Sequence, residues 1–520
     1  MAVFIEAGNF TIDNEAVGVK PQLQNFYSSP RPMSARTLAS GALGYISLLR
    51  TWGPPKTGCG CDQQETLNKR HQHRCLLIGN RPPTASDEGM DAMNASEYGN
   101  QQKRGLRSQL VPMTGRDPNE RERAASPLEL LFDLTFVVAV GTAASQFAEM
   151  LAEGHVASAT FAFVLAMFAI CLAWLSFSWF GSAFDTDDWL YRTLTMIQMV
   201  GVVVFALGLP PMFHSVEEGG HLEMRLMVIG YVVMRLAMVL QWWRAARSSP
   251  EYSLTARATI RWTVFAQIAW VVVAFSGLPN AVVVPAFVAI GALELLVPVL
   301  AQGSAGRTPW HPHHLAERYA LFAIITLGEG VVGTVASSSG LLGGADGMSW
   351  TLNTVAVVVA GVGLTFGLWW VYFTTPFGDM LKHRRGRGYL FGYGHILLFI
   401  GTAGAGAGLH VAGLYLEHHS SLSETAVVLS LAAPVALFLA VFYLLHTLLM
   451  SSADKFHLSL IAATAAILIL AVTAAAMGMP FALCLILVML APFVTVIGYE
   501  TVGRRHQAEM LAALRISDDT

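Results

Sequence analysis

From Glu129 to Glu500 the chain is apolar in runs of membrane-spanning length, broken at short intervals by small polar loops. Bilayer hydrocarbon is about 30 Å thick, so a spanning helix needs roughly 20 apolar residues. Twelve runs meet that requirement, at 128–150, 158–181, 192–213, 222–243, 262–278, 280–301, 315–338, 350–374, 391–416, 423–450, 457–477 and 479–499. The expected fold class is therefore an all-α integral membrane protein of about twelve transmembrane helices, with the lipid bilayer as its first partner. The chain is 54% hydrophobic and 13% charged, against about 25% charged for a soluble domain. A net charge of −3 and the lack of any basic-aromatic patch give no support to a nucleic-acid partner.

Cationic residues in short loops set orientation. From Met113 onward, 18 of the 20 lysines and arginines fall in alternate loops, among them Arg192, Arg244, Arg257, Arg261, Arg307, Lys382 and Arg385. Arg225 occupies an opposite loop and Arg235 lies inside a run. Trp179, Trp189, Trp242, Trp243, Trp262, Trp310, Trp369 and Trp370 gather at the same boundary as the cationic loops, as an interfacial belt does. Both termini are expected to be cytoplasmic.

Residues 1–112 differ: they are polar, rich in Gly, Pro, Ser, Asn and Gln, and without sustained periodicity. Disorder, or a true translation start at Met113, is the expectation there. Cys59, Cys61 and Cys75 with His71 and His73 do not match the paired-ligand spacing of a zinc site. Cys171 and Cys484 fall in spans and imply no disulfide. No metal and no cofactor are expected.

Two motifs are recognisable. Ser126-Pro127-Leu128-Glu129-Leu130-Leu131-Phe132-Asp133-Leu134-Thr135-Phe136-Val137 leads into the first run, and His314-Leu315-Ala316-Glu317-Arg318-Tyr319-Ala320-Leu321-Phe322 continues to Leu327-Gly328-Glu329 in the seventh. Asp185-Thr186-Asp187-Asp188 before Tyr191-Arg192, and Trp369-Trp370-Val371-Tyr372-Phe373, support them. Together these resemble the bacterial low temperature requirement protein A (LtrA) family over about residues 113–500. The resemblance implies a multi-pass bacterial plasma-membrane protein and carries no established substrate or reaction. At Phe373-Thr374 the chain lacks the acid of the Tyr-Phe-Asp form of that motif, which puts any role of that acid in doubt here.

The transmembrane domain, 113–503, divides into halves at about 126–302 and 310–503, followed by a cytoplasmic tail, 504–520. Trp174-Leu175-Ser176-Phe177 in one half answers Trp370-Val371-Tyr372-Phe373 in the other. Glu129 and Glu317 open runs that reach Gly141 and Gly328 about three turns later. Six helices per half would make the repeats parallel, although the small alphabet of membrane sequences produces such likeness by chance.

Ionisable groups within spans cost roughly 2.5–3.5 kcal/mol each on insertion scales and should face protein or water. Asp133, Arg235, Glu294 and Glu329 are the deep ones. Arg235 is expected to pair with Glu294 or Glu329, which leaves two acids without a cation evident in the sequence. Such a carboxyl can load and release a proton or take up a cation; the plainer reading is interhelical packing. Gly328 and Gly330 flank Glu329, so a loosened mid-membrane turn is expected there, with close helix packing as the bland alternative. Glu129 shares a helix face with Asp133 and is expected near the interface, at the positive end of its helix. Glu317 and Arg318 read as a helix-terminal ion-pair network. His311, His313 and His314 beside Pro312 read as solvated rather than as a metal cluster. His395 is a proton-relay candidate whose plainer role is hydrogen-bonded packing. Gly401, Gly404, Gly406 and Gly408 lie inside a span, and Gly404 and Gly408 favour a close helix crossing.

These residues point to a proton- or cation-coupled secondary transporter of an unknown small solute or ion. A cation channel is the alternative, and a non-transport membrane factor for growth in the cold is a third reading. No Ser/His/Asp order, zinc motif or cluster of loop acids indicates an enzyme.

Overall fold

The computed structural model describes residues 110–120, 123–302, 307–342, 351–450, 455–505 and 507–509. The expectations for residues 1–109, including Cys59, Cys61, Cys75, His71 and His73, lie outside the described residues, as does most of the tail.

The described residues form helices and connecting loops, without strands. The first half comprises α1 (Pro127–Ala152), α2 (Val156–Phe184), α3 (Trp189–Leu207) with its continuation α4 (Leu209–Glu217), α5 (Arg225–Ser248), α6 (Ser253–Phe275) and α7 (Asn280–Gln302). The second comprises α8 (Pro312–Leu342), α9 (Leu352–Phe373) with the short α10 (Phe377–His383), α11 (Gly388–Leu416), α12 (Glu424–Met450), α13 (Lys455–Ala476) and α14 (Phe481–Gly498). Among these residues, twelve helices are long and apolar enough to cross a membrane. Each answers one of the expected runs. The largest shift is in the fifth, which begins at Ser253 instead of 262, because Arg257 and Arg261 are already helical.

Local chemistry explains the boundaries. Ser126 caps α1 in a reciprocal capping box with Glu129, and Pro127 occupies the first turn, where its missing N–H costs nothing. The third span is interrupted at Gly208, just before Pro210-Pro211, and resumes as α4.

Loops holding the cationic residues contact one another. Arg123 donates to the carbonyls of Gly181 (2.6 Å) and Ser182, Arg244 pairs with Asp188 at 2.5 Å, and Ser249 donates to the Met113 carbonyl at 3.0 Å. Arg385 and Arg387 likewise donate to the carbonyls of Pro118 and Leu448. The opposite loops form a second group, in which Ser421 N–H reaches the Ala152 carbonyl at 2.7 Å and Leu222 N–H reaches Asn280 Oδ1 at 2.9 Å. The bundle thus has an arginine-rich end and an arginine-poor end.

Helix neighbours repeat between the halves. In the first, α1 packs on α2 and α3, α3 on α5, α5 on α6, α6 on α7, and α7 on α2. In the second, α8 packs on α9 and α11, α11 on α12, α12 on α13, α13 on α14, and α14 on α9. The halves meet where α1 and α2 pack on α8 and α11. α11 is almost wholly buried at this centre, and its glycines permit it: a Cβ at Gly408 would lie 2.8 Å from the Leu431 Cα, and one at Gly404 3.0 Å from Pro434 Cβ. The Trp174/Trp370 likeness does not extend to environment, since Trp174 is fully buried and Trp370 is 43% exposed.

Candidate functional site

The deep ionisable residues fall into three separate centres. The first lies near the arginine-rich end between α1, α2 and α8. Arg318 there is fully buried and holds Asp133 with two donors, Nε at 3.0 Å and Nη2 at 2.5 Å. Trp174 Nε1 adds a third bond to Asp133 at 2.7 Å. Arg318 Nη1 lies 2.9 Å from Glu129, which His314 also reaches at 3.2 Å. Three expectations change here. Arg318 is not part of a terminal network with Glu317; it turns inward, while Glu317 accepts the Ala125 N–H at 3.2 Å. Asp133 does not lack a cation, because Arg318 reaches one turn deeper than its own backbone. Glu129 caps its helix, but from a fully buried position instead of the interface.

The second centre joins α5, α6 and α7. Arg235 Nη2 lies 2.6 Å from Glu294 Oε2, one of the two pairings that depth allowed, and also donates to the Tyr231 hydroxyl. Tyr231 OH donates to the same oxygen, and Gln267 Nε2 (2.9 Å) and Trp270 Nε1 (3.0 Å) donate to Oε1. Sequence reasoning missed Tyr231, Gln267 and Trp270. Tyr231 was findable, since it precedes Arg235 by four residues and so shares its helix face.

Glu329 is the third. It is 5% exposed, and its carboxyl makes no hydrogen bond or ion pair among the described residues. Around it are glycines: a Cβ at Gly141 of α1 would sit 3.3 Å from Glu329 Oε1, and one at Gly406 of α11 would sit 2.7 Å from Glu329 Cβ. Gly141 and Glu329 each lie twelve residues after the corresponding Glu129 and Glu317, so equivalent positions of the two halves touch. The expected loosened turn is absent; α8 runs unbroken through Gly328-Glu329-Gly330. Gly330 instead admits Thr365 of α9, whereas a Cβ at Gly328 would meet nothing within 4 Å.

His395 is fully buried; Nδ1 lies 2.7 Å from the Phe391 carbonyl and Nε2 3.1 Å from Tyr372 OH. A carbonyl can only accept, so Nδ1 carries the proton and Nε2 accepts from the tyrosine. This is the packing arrangement. At the arginine-poor end Glu153, His155 and Glu217 bring ligand-type atoms within 4.8 Å of one another, all on accessible side chains.

A cavity of about 880 Å³, its open mouth included, separates α2, α5, α6, α7 and α11. It runs from Arg235 and Glu294 at mid-depth to Gln302, Thr308 and Tyr389 near the arginine-rich end. Beyond the second centre lies a smaller apolar hollow of about 420 Å³, bordered by Tyr231 and Trp270. Glu329 lines neither. The structure therefore does not bring Glu329, Arg235 and Glu294 into one site.

Comparison with known proteins fits this picture. No solved structure matches the chain. An uncharacterized protein of Rhizobium meliloti (strain 1021) is 26% identical over 295 residues, covering 54% of this chain and 68% of that one. Residues 124–492 match the family described as bacterial low temperature requirement A protein (LtrA). The match contains both long motifs, the Asp133–Arg318 pair they build, and Glu329: the chain belongs to the LtrA family.

Proposed function

We propose that this protein is a proton- or cation-coupled secondary transporter of a small solute, and not an enzyme, in the bacterial plasma membrane. The arginine-rich end and both termini face the cytoplasm in this reading, as the concentration of cations in alternate loops supports.

The observation that carries the reading is Glu329. Every other deep carboxylate in the described spans lies against a guanidinium, Glu129 and Asp133 sharing that of Arg318. Glu329 alone stands at mid-span without a described partner. An ionised carboxylate in that position is costly, and a bound proton or cation removes the cost. Its place at the contact of α1, α8 and α11 joins its charge state to the packing of the two halves, so loading and release would bias one arrangement of the halves over another.

Proteoliposomes with a pH-sensitive dye in the lumen test this, challenged in turn with Na⁺, K⁺, amino acids and organic acids. Wild type is expected to change lumenal pH with at least one of these. Glu329→Gln, which keeps the shape and removes the charge, is expected to lose the response without losing thermal stability. A wild-type response in Glu329→Gln removes that carboxyl from the mechanism. Uncoupled cation current in wild type would favour the channel reading.

A further inference from the structure

The cavity at the second centre has its own chemistry, which does not depend on the transport reading. Glu294 is saturated: each carboxylate oxygen accepts two donors, from Gln267 and Trp270 on one side and Arg235 and Tyr231 on the other. It has no lone pair left for a cation or an ammonium group. Arg235, which borders the same cavity, spends only Nη2; its Nε and Nη1 donate to no described residue. Five guanidinium donors facing one filled carboxylate leave a surplus of donors.

Much of the polarity elsewhere on the wall is already used, the hydroxyls of Thr263 and Tyr389 excepted. Ser176, Thr259 and Tyr393 donate their hydroxyl protons to the carbonyls of Leu172, Thr255 and Leu295. Most of what remains is aromatic and aliphatic surface, with Trp179, Trp242 and Tyr389 towards the arginine-rich end, where Gln302 donates to Thr308. The hollow is thus a largely apolar sleeve with donors at its floor, the kind of lining that small-molecule sites share. Its polarity is the reverse of a phospholipid's. A lipid would place its headgroup at the interface, whereas these donors lie at mid-depth, near the centre of α5.

We propose that this cavity binds a small amphipathic carboxylate, its carboxyl group on Arg235 at the floor and its apolar body between Trp179, Trp242 and Tyr389. Nη1 carries two N–H groups that a carboxylate can accept, and entry from the arginine-rich end requires no passage through the apolar hollow beyond Tyr231 and Trp270.

Equilibrium dialysis of the full-length protein in lipid nanodiscs, with empty nanodiscs subtracting partition, tests the assignment. The probes are tritiated naphthalene-2-carboxylate and its isosteric cation, 2-naphthylmethylammonium. One saturable site per chain is expected for the carboxylate, with the ammonium at least tenfold weaker. Thr263→Phe, which fills the cavity from α6, should abolish the site. Arg235→Gln/Glu294→Gln, which removes both charges together and so strands neither, should weaken it at least tenfold while the protein elutes as wild type. Carboxylate binding that fails to saturate, or that is no tighter than the ammonium, overturns the assignment in the wild-type protein alone. Undiminished binding by a folded Thr263→Phe protein overturns it equally.

Discussion

At the residue scale, three carboxylates within the spans meet three different fates, and partner geometry separates them. Asp133 takes a two-pronged hold from Arg318, and Glu294 takes four donors, while Glu329 faces glycines. Removing one member of a buried ion pair strands the other charge and costs about 3–5 kcal/mol. Arg318→Met should therefore lower the thermal midpoint in detergent sharply. Arg318→Met/Asp133→Leu should recover part of the loss, since the stranded Asp133 charge is gone and only Glu129, still held by His314 and the Ser126 N–H, then lacks the guanidinium. Equal loss in both would show that Asp133 is not the group that Arg318 neutralises. Depth alone narrowed the partner of Arg235 to Glu294 or Glu329, and the fold selects Glu294. The Asp133–Arg318 pair was not legible, because the two are 185 residues apart and Arg318 sits in a boundary motif that reads as solvated. Only the packing of α1 against α8 brings the guanidinium inward to the acid.

At the element scale, glycines decide how closely helices approach, and neighbouring glycines do opposite things. A Cβ at Gly406 would lie 2.5 Å from the backbone carbonyl carbon of Glu329, whereas at Gly328 it would meet nothing within 4 Å. Backbone cannot yield as a side chain can, so Gly406→Ala is expected to cost about 1–3 kcal/mol and to loosen α8 from α11. Gly328→Ala should be neutral or stabilising, by up to about 1 kcal/mol, through helix propensity. Thermal unfolding of the two variants side by side checks the contrast; similar losses would mean that α8 is not seated on α11 in this register. Hydropathy made the spans legible, since length and apolarity are local properties. The same Gly-Glu-Gly spacing fits a broken turn and a tight crossing equally, and only the neighbouring helices distinguish them.

At the scale of the whole molecule, the two halves are joined on one side by a charged network that continues out of the bundle into the segment before α1. Arg116 N–H reaches the Ala183 carbonyl at 3.0 Å, and its guanidinium lies 4.0 Å from Asp185, between α2 and α3. Burial pushes the Asp185 carboxyl up to about 6, the negative Glu129 of α1 adds to the rise, and Arg123 and Arg116 oppose it. The native state then holds this proton more tightly than the unfolded chain, where aspartate titrates near 4. Below about pH 4 both states are protonated and the native state keeps its full advantage. Between about 4 and 6 the unfolded chain gives up its proton first, so stability falls as pH rises, by up to about 3 kcal/mol, and levels off above 6. Asp185→Asn removes this titration and should flatten that part of the profile. The difference in thermal midpoint between wild type and variant, followed from pH 4 to 7, isolates the group from the histidines. A difference that does not change with pH, or that favours wild type increasingly as pH rises, would mean that Asp185 is ionised in the folded protein and held by its arginines. The segment before α1 would then be fastened to the bundle by a salt bridge as well as by the Arg116 N–H on the Ala183 carbonyl.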